Sequence, residues 1–286
     1  MSDNYTHQMI ATNGINLHVV TAGNPTHEPI MLLHGFPENW RCWNHQIDFL
    51  VEHNYYIIVP DQRGYNLSDK PKGVKNYHLD LLTQDIIGLI KAFGYENIYM
   101  GAHDWGAVVA WSIATHHPQY LKKLAILNVP HPTIMGAEFR SLNFEQIKRS
   151  WYMFFFKIPR FPEWFARRND WGDAAILRRS SHPDTFTEEE IADYKEAWNQ
   201  PNAMTSMMNW YRAAIPSSAK VPEEKSITVP IRILWGEQDI ALGKELAEKS
   251  LKLCANGDLY FFPNATHWLP HDEADAVNQH FIEFFQ

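Results

Sequence analysis

Ile98-Tyr-Met-Gly-Ala-His-Asp-Trp-Gly-Ala107 is the stretch that decides the fold of this chain. Its first half reads as a buried strand and its centre as a sharp turn, and a helix opens at Trp105. Asp104 stands at the tip, with Ala102, Gly106 and Ala107 as small neighbours that let strand and helix approach closely. Asp often caps a helix N-terminus, and taken alone that is its commoner role. At such a tip it is also an anion at neutral pH, able to attack without a base to remove a proton first. A carboxylate nucleophile suits a saturated carbon, as in an epoxide or an alkyl halide. It leaves an ester whose carbonyl water can then attack.

Outward from this stretch, apolar runs and turns alternate. Asn13-Gly14 marks a turn, and residues 16–22 read as an early strand. Pro29-Ile-Met-Leu-Leu33 and Tyr56-Ile-Ile-Val59 read as strands buried on both faces. Leu82, Ile86, Leu89 and Phe93 repeat at helical spacing over residues 79–93, and Gly94 ends that helix. Leu124-Ala-Ile-Leu127, Val229-Pro-Ile-Arg-Ile-Leu-Trp235 and Leu259-Tyr-Phe-Phe262 supply further strands. This rhythm predicts an α/β protein with a mostly parallel central sheet and flanking helices.

The rhythm breaks between Val129-Pro-His-Pro132 and about Lys225. There the composition is helical, with a start signal at Thr187-Glu-Glu-Glu190 and a turn at Ile215-Pro-Ser-Ser218. The expected organisation is one discontinuous core, residues 1–130 and 226–286, with a helical cap inserted at 131–225. The cap is rich in rings, among them Trp151, Phe154, Phe155, Phe156, Phe161, Trp164, Phe165, Trp171, Trp198 and Trp210. A membrane-lying helix with Arg167 and Arg168 on its polar face fits such a composition. The acidic stretches around Asp173 and Glu188 favour instead rings that pack the cap on the core and line a pocket.

At 286 residues the chain can bury a full core. A net charge of -8, with no run of Lys and Arg, argues against a nucleic-acid or anionic-membrane partner and is compatible with a small neutral substrate. Only Cys42 and Cys254 are present, which excludes a disulfide scaffold or a cysteine zinc cage and fits a reducing compartment. Met1-Ser-Asp-Asn-Tyr-Thr-His is polar and not a leader sequence, so a soluble, cytoplasmic protein is expected. The uncharged run 105–121 contains Ser, Thr, Gln and paired His, and reads as a core helix rather than a membrane span.

Three further elements fall where an Asp-centred hydrolase needs them. Gly236-Glu-Gln-Asp239 and Asn264-Ala-Thr-His267 both follow carboxyl ends of predicted parallel strands, where open α/β sheets place their sites. His267 is assigned as the general base that activates water against the ester. Asp239 holds its tautomer, with Glu237 as the rival acid. His34-Gly-Phe-Pro37 also follows a central strand. The backbone N–H groups of Phe36 and Trp105 are expected to form an oxyanion hole, and the side chains of Phe36, Pro37 and Trp105 to shape the substrate pocket. In isolation Asp239 would read as a turn residue, His267 as one surface His among fifteen, and His34-Gly-Phe-Pro37 as a plain turn.

With these elements together the chain resembles the epoxide hydrolases of the α/β-hydrolase fold over nearly its whole length. The carrying motifs are His34-Gly-Phe-Pro-Glu38, Asp61-Gln-Arg-Gly-Tyr65, His103-Asp-Trp-Gly106, Trp235-Gly-Glu-Gln-Asp239 and His267-Trp268. The resemblance implies two cap tyrosines that hydrogen-bond the epoxide oxygen. Trp151-Tyr152-Met-Phe and Asn209-Trp-Tyr211-Arg are similar to the two tyrosine motifs. It further implies hydrolysis of an epoxide to a vicinal diol; the aromatic cap points to a small apolar or aryl substrate, the expected mechanism needs no cofactor and no metal, and monomer and homodimer both stay open. Asn66 departs from the family's usual glycine, though Asn also tolerates left-handed backbone.

Haloalkane and haloacid dehalogenases share the Asp nucleophile, and Trp105 does not discriminate between the two activities. Many haloalkane dehalogenases carry Asn where Phe36 stands, and some take their acid from the strand before the cap, where this chain has Asn128. Fluoroacetate dehalogenases resemble a pattern with arginines after the nucleophile, where Trp105 and Val108 stand here. A ligand-binding protein that retains the fold without turnover would be expected to lack at least one site member. A metal pair at His267 and His271 is disfavoured by Pro270, which disrupts the helix such spacing requires.

Overall fold

The structure, a computed structural model, describes residues 5–168, 171–214 and 222–286. The turn expected at Ile215-Pro-Ser-Ser218, residues 1–4 and the side chain of Asp173 lie outside the described residues. Eight strands form one sheet: β1 (Thr6–Thr12), β2 (Ile15–Ala22), β3 (Glu28–Leu33), β4 (Tyr55–Pro60), β5 (Ile98–His103), β6 (Leu121–Leu127), β7 (Ile231–Gly236) and β8 (Gly257–Phe262). Their order is β1-β2-β4-β3-β5-β6-β7-β8. β1 and β2 pair antiparallel, as do β2 and β4, and every other pairing is parallel.

The continuous apolar runs explain the centre of this sheet. β4 and β7 are buried at every position and β3 at every position after Glu28, because helices cover both faces of the parallel part. β1 is an additional strand that the sequence pattern did not indicate. It is an edge strand exposed or half-exposed until Thr12, so no apolar alternation marks it. The Asn13-Gly14 turn joins it to β2, with both residues in the left-handed region.

The core helices are α1 (Asn44–Glu52), α2 (Leu79–Ala92) and α3 (Trp105–His116). Between β6 and β7 come α4 (Pro132–Arg140), α5 (Phe144–Arg149), α6 (Trp151–Phe155), α7 (Phe161–Ala166), α8 (Gly172–Ser180), α9 (Glu188–Trp198) and α10 (Ala203–Ala213). The chain closes with α11 (Glu245–Leu251), α12 (Leu269–Asp272) and α13 (Ala274–Phe285). Gly94, at φ 81°, follows the end of α2, and Thr187 and Glu190 form a capping box at the start of α9. Among the described residues the insertion between β6 and β7 contains no strand.

Polar side chains pin this insertion over the carboxyl ends of the strands. The Trp198 indole N–H donates to the Pro37 carbonyl at 2.5 Å and that of Trp210 to the Arg63 carbonyl at 2.9 Å. The Tyr194 hydroxyl donates to Glu38 at 2.9 Å. The rings expected to pack there divide into two sets. Phe156, Trp171, Trp198 and Trp210 are buried, whereas Trp151, Phe154, Phe161, Trp164 and Phe165 are exposed, which departs from the expectation that all of them pack or line a pocket.

The turn between β5 and α3 crosses the end of β3 at close range. A Cβ on Gly106 would stand 2.4 Å from the Leu33 carbonyl oxygen and 2.6 Å from that of His34. Backbone carbonyls on a central strand cannot yield cheaply, so Gly106→Ala is expected to cost about 1–3 kcal/mol by overpacking. Urea unfolding measures this; an unchanged midpoint would show that the turn relaxes freely.

Candidate active site

Asp104 adopts φ 47° and ψ −126°, a sparsely populated conformation for a residue with a Cβ. It occupies the N-cap position of α3, yet its side chain makes no capping hydrogen bond. The carboxylate turns away from the helix instead. Its Oδ1 accepts the Phe36 backbone N–H at 2.6 Å, and its Oδ2 lies 3.5 Å from His267 Nε2. The approach depends on Gly35, where a Cβ would fall 2.2 Å from the Asp104 Cβ. Trp105 opens α3, so its N–H is one of the amides without a partner inside the helix.

His267 Nδ1 is 2.7 Å from Asp239 Oδ2. An ionised carboxylate only accepts, so the ring donates from Nδ1. Asp239 also accepts from Asn128 Nδ2 at 2.9 Å and from the backbone N–H groups of Ala241 and Leu242 at 2.7 and 3.0 Å. Burial works against its charge, but the facing imidazole and these donors outweigh burial and hold the carboxyl below its ordinary range. For His267, burial opposes the charged ring, and the Asp239 and Asp104 carboxylates overcome it, raising the imidazole to about 10. Glu237 pairs with Lys244 instead of His267.

Phe36, Trp105, Tyr152, Phe156 and Tyr211 form an aromatic wall beside Asp104. The Tyr211 ring lies 5.0 Å from Trp105, 5.3 Å from Phe36 and 6.0 Å from Tyr152. Burial and then the Asp104 charge push both phenols above their ordinary range, so each is a neutral O–H donor. Pro37 meets the insertion through its carbonyl, which accepts from Trp198.

Two supports were not visible as functional residues in the sequence. Asn128, at φ 53°, grips both sides of the Asp239 loop, donating to the carboxylate while its Oδ1 accepts the Gly236 N–H at 3.0 Å. Its position just past β6, at the same sheet edge as the other site residues, was the available signal. Glu38 is the second. Buried, it accepts from Tyr194 and from His271 Nε2 at 2.7 Å, and its other oxygen lies 3.5 Å from His103 Nδ1. His103 Nε2 in turn donates to the His267 carbonyl at 2.8 Å. Burial tends to raise the Glu38 carboxyl, and the His103 and His271 rings reverse this and lower it. The network thus ties the end of β3, the strand before Asp104, the His267 loop and α9 together.

His271 is engaged with Glu38 and does not join His267 as a ligand pair. Among the described residues, the group with ligating atoms close enough to share a metal is His45, Glu190 and His271, within 4.8 Å of one another. The second oxygen of Glu190 already serves the Thr187 capping box. No helix among the described residues is long and apolar enough to cross a membrane, and the run 105–121 is the buried α3 followed by a short turn.

The sheet order, the turn bearing Asp104 and the His267–Asp239 pair define an α/β hydrolase with a carboxylate at the turn between β5 and α3. A family model described as the alpha/beta hydrolase fold matches residues 28–274. The chain is similar to the AB hydrolase superfamily protein YfhM of Bacillus subtilis, at 45% identity over 98% of this chain and 97% of that protein. It is similar to epoxide hydrolase 4 of Mus musculus at 34% identity over 94% of this chain and 76% of that protein. Among solved structures, a mutant epoxide hydrolase from Bacillus megaterium matches with a TM-score of 0.88 and 30% identity, covering 97% of this chain and 99% of that one. The chain belongs to the α/β-hydrolase family and, within it, to the epoxide hydrolases.

The raised His267 has a consequence for stability. Its folded value, about 10, exceeds the ordinary 6.5, so the charged ring adds stability that is complete below pH 6.5 and lost as pH rises toward 10. The excess stability of the native protein over His267→Gln is therefore expected to shrink from pH 6.5 to pH 10. Thermal melts across that interval measure it, and a gap independent of pH would contradict the assignment.

Proposed function

We propose that the protein hydrolyses small apolar or aryl epoxides to vicinal diols through an ester on Asp104. The observation that carries this reading is the division of the Asp104 carboxylate, with Oδ1 on the Phe36 N–H and Oδ2 facing His267. Oδ2 attacks an epoxide carbon, the ring C–O bond breaks, and its oxygen takes a proton from Tyr152 or Tyr211. Oδ1 becomes the ester carbonyl oxygen, already on the amide donor it needs when it later becomes an oxyanion.

Ester formation also removes the Asp104 charge, and with it part of what keeps His267 protonated. The imidazolium proton can then restore the phenol, leaving a neutral His267 as base. His267 takes a proton from water as the oxygen attacks the Asp104 carbonyl carbon. The tetrahedral oxyanion rests on the Phe36 and Trp105 N–H groups. Its collapse expels the diol oxygen, which takes the proton from His267, and Asp104 then returns its own proton to the ring. Asp239 orients His267 throughout.

The helical insertion, residues 131–225, acts in this reading as a cap over a discontinuous core, and it brings both phenols. Phe36, Trp105 and Phe156 favour apolar substituents on the substrate. Neutral phenols facing an anionic nucleophile suit a leaving oxygen that must be protonated, which favours an epoxide over an alkyl halide. No step calls for a cofactor or a metal.

Intact mass of His267→Ala after exposure to epoxides and haloalkanes of distinct masses tests the reaction. A whole-epoxide adduct on Asp104 is expected; an adduct of an alkyl halide without its halogen, and none from an epoxide, would make the protein a dehalogenase. In single-turnover kinetics, Tyr152→Phe/Tyr211→Phe is expected to slow alkylation by about 100-fold or more. Unimpaired alkylation would return both tyrosines to packing.

A further inference from the structure

The net charge of -8 is unevenly spread. Residues 140–168 carry seven Lys and Arg against Glu145 and Glu163, and Glu163 is held by Arg212 at 2.7 Å. All seven basic residues are exposed. The same segment presents Trp151, Phe154, Ile158, Phe161, Trp164 and Phe165 to solvent, each between 46% and 62% exposed. Glu188, one of the acidic groups expected to repel an anionic surface, is paired with Arg178 at 2.7 Å.

These rings are contiguous. Phe155 stands 5.9 Å from each of Trp151, Phe161 and Phe165, and Phe161 stands 5.6 Å from Trp164. Half-exposed aromatic side chains of this number show about 600 Å² of apolar surface, at the upper end of what a soluble monomer ordinarily leaves uncovered. Basic side chains rim them, with the Arg168 guanidinium 4.6 Å over the Trp164 ring. The patch also backs onto the candidate site. Tyr152 shares α6 with Trp151 and Phe155, and the adjoining Phe156 ring lies 4.9 Å from Tyr211 and 5.2 Å from Phe36.

We propose that this face docks on the surface of an anionic lipid bilayer, its rings at the acyl boundary and its Lys and Arg among the headgroups. Long basic side chains beside aromatic rings suit that boundary, where the apolar stem lies against the tails and the charge stays wet. The acidic remainder of the protein is repelled, which orients the molecule with α6 and α7 toward the lipid. A two-fold pairing of this patch with a second copy would instead oppose two basic rims. No helix among the described residues is long and apolar enough to cross a bilayer, so the proposed contact is with its surface. Docking stands on exposure and charge, independently of the reaction proposed above. It brings the outer side of the aromatic wall to the phase in which apolar molecules dissolve.

Co-sedimentation of the full chain with vesicles of phosphatidylcholine alone, and of phosphatidylcholine with an equal part of phosphatidylglycerol, tests this. Binding is expected only to the anionic vesicles and is expected to weaken in high salt. Lys157→Glu/Arg160→Glu is expected to lower the partition coefficient by more than about tenfold. Trp164→Ser/Phe165→Ser is expected to abolish binding while hydrolysis of a water-soluble epoxide is retained. Absence of binding to both vesicles, or equal binding by native and variant proteins, overturns the proposal. So does self-association that Trp164→Ser/Phe165→Ser removes, with no vesicle binding, since a second copy would then cover the patch. If the serine variant does not fold, the charge reversal, confined to exposed side chains, decides alone.

Discussion

The hydrogen bond from the Phe36 amide to Asp104 Oδ1 is the contact on which the rest of the site depends. It requires the end of β3 and the turn after β5 to meet at backbone distance. Gly35 and Gly106 permit this because any Cβ at either position would strike the neighbouring segment. One oxygen of the carboxylate is thereby fixed on a donor, and the other is left beside His267. A residue type that usually caps a helix is instead a half-buried, oriented carboxylate held at a strained, positive φ.

Electrostatics then follow from how few partners Asp104 has compared with Asp239. Asp239 accepts from an imidazole, an amide side chain and two backbone N–H groups, so its charge is fixed. Asp104 accepts the Phe36 N–H on one oxygen and leaves the other 3.5 Å from His267 Nε2. Two carboxylates thus flank one imidazole in different settings, Asp239 held by several donors and Asp104 by the Phe36 amide with its second oxygen toward His267. The buried Glu38 with His103, His271 and Tyr194 supports this arrangement from behind, joining four chain segments that are distant in sequence.

The same insertion that brings tyrosines over Asp104 carries an uncovered aromatic face on its other side. Short helices cannot bury rings on both faces when only one face meets the core. Trp198 on α9 and Trp210 on α10 therefore find backbone partners below, while Trp151 and Phe154 on α6 and Phe161, Trp164 and Phe165 on α7 face outward. Overall charge conceals this, since the basic residues are concentrated where the rings emerge.

The sequence by itself determined the parallel sheet, the turn at Asp104, the chain order of Asp104, Asp239 and His267, and a helical insertion after β6. Each rests on local chemistry: continuous apolar runs bury on both faces, small residues surround a sharp turn, and polar residues cluster after strand ends. Strand β1 escaped because an edge with solvent on most positions needs no apolar alternation. Tertiary structure alone decided that Asn128 holds Asp239 and that Glu38 sits between two imidazoles. It also decided which rings are buried. All of these are pairings between segments far apart in the chain, set by the order in which strands lie in the sheet, and no local pattern of residues encodes them.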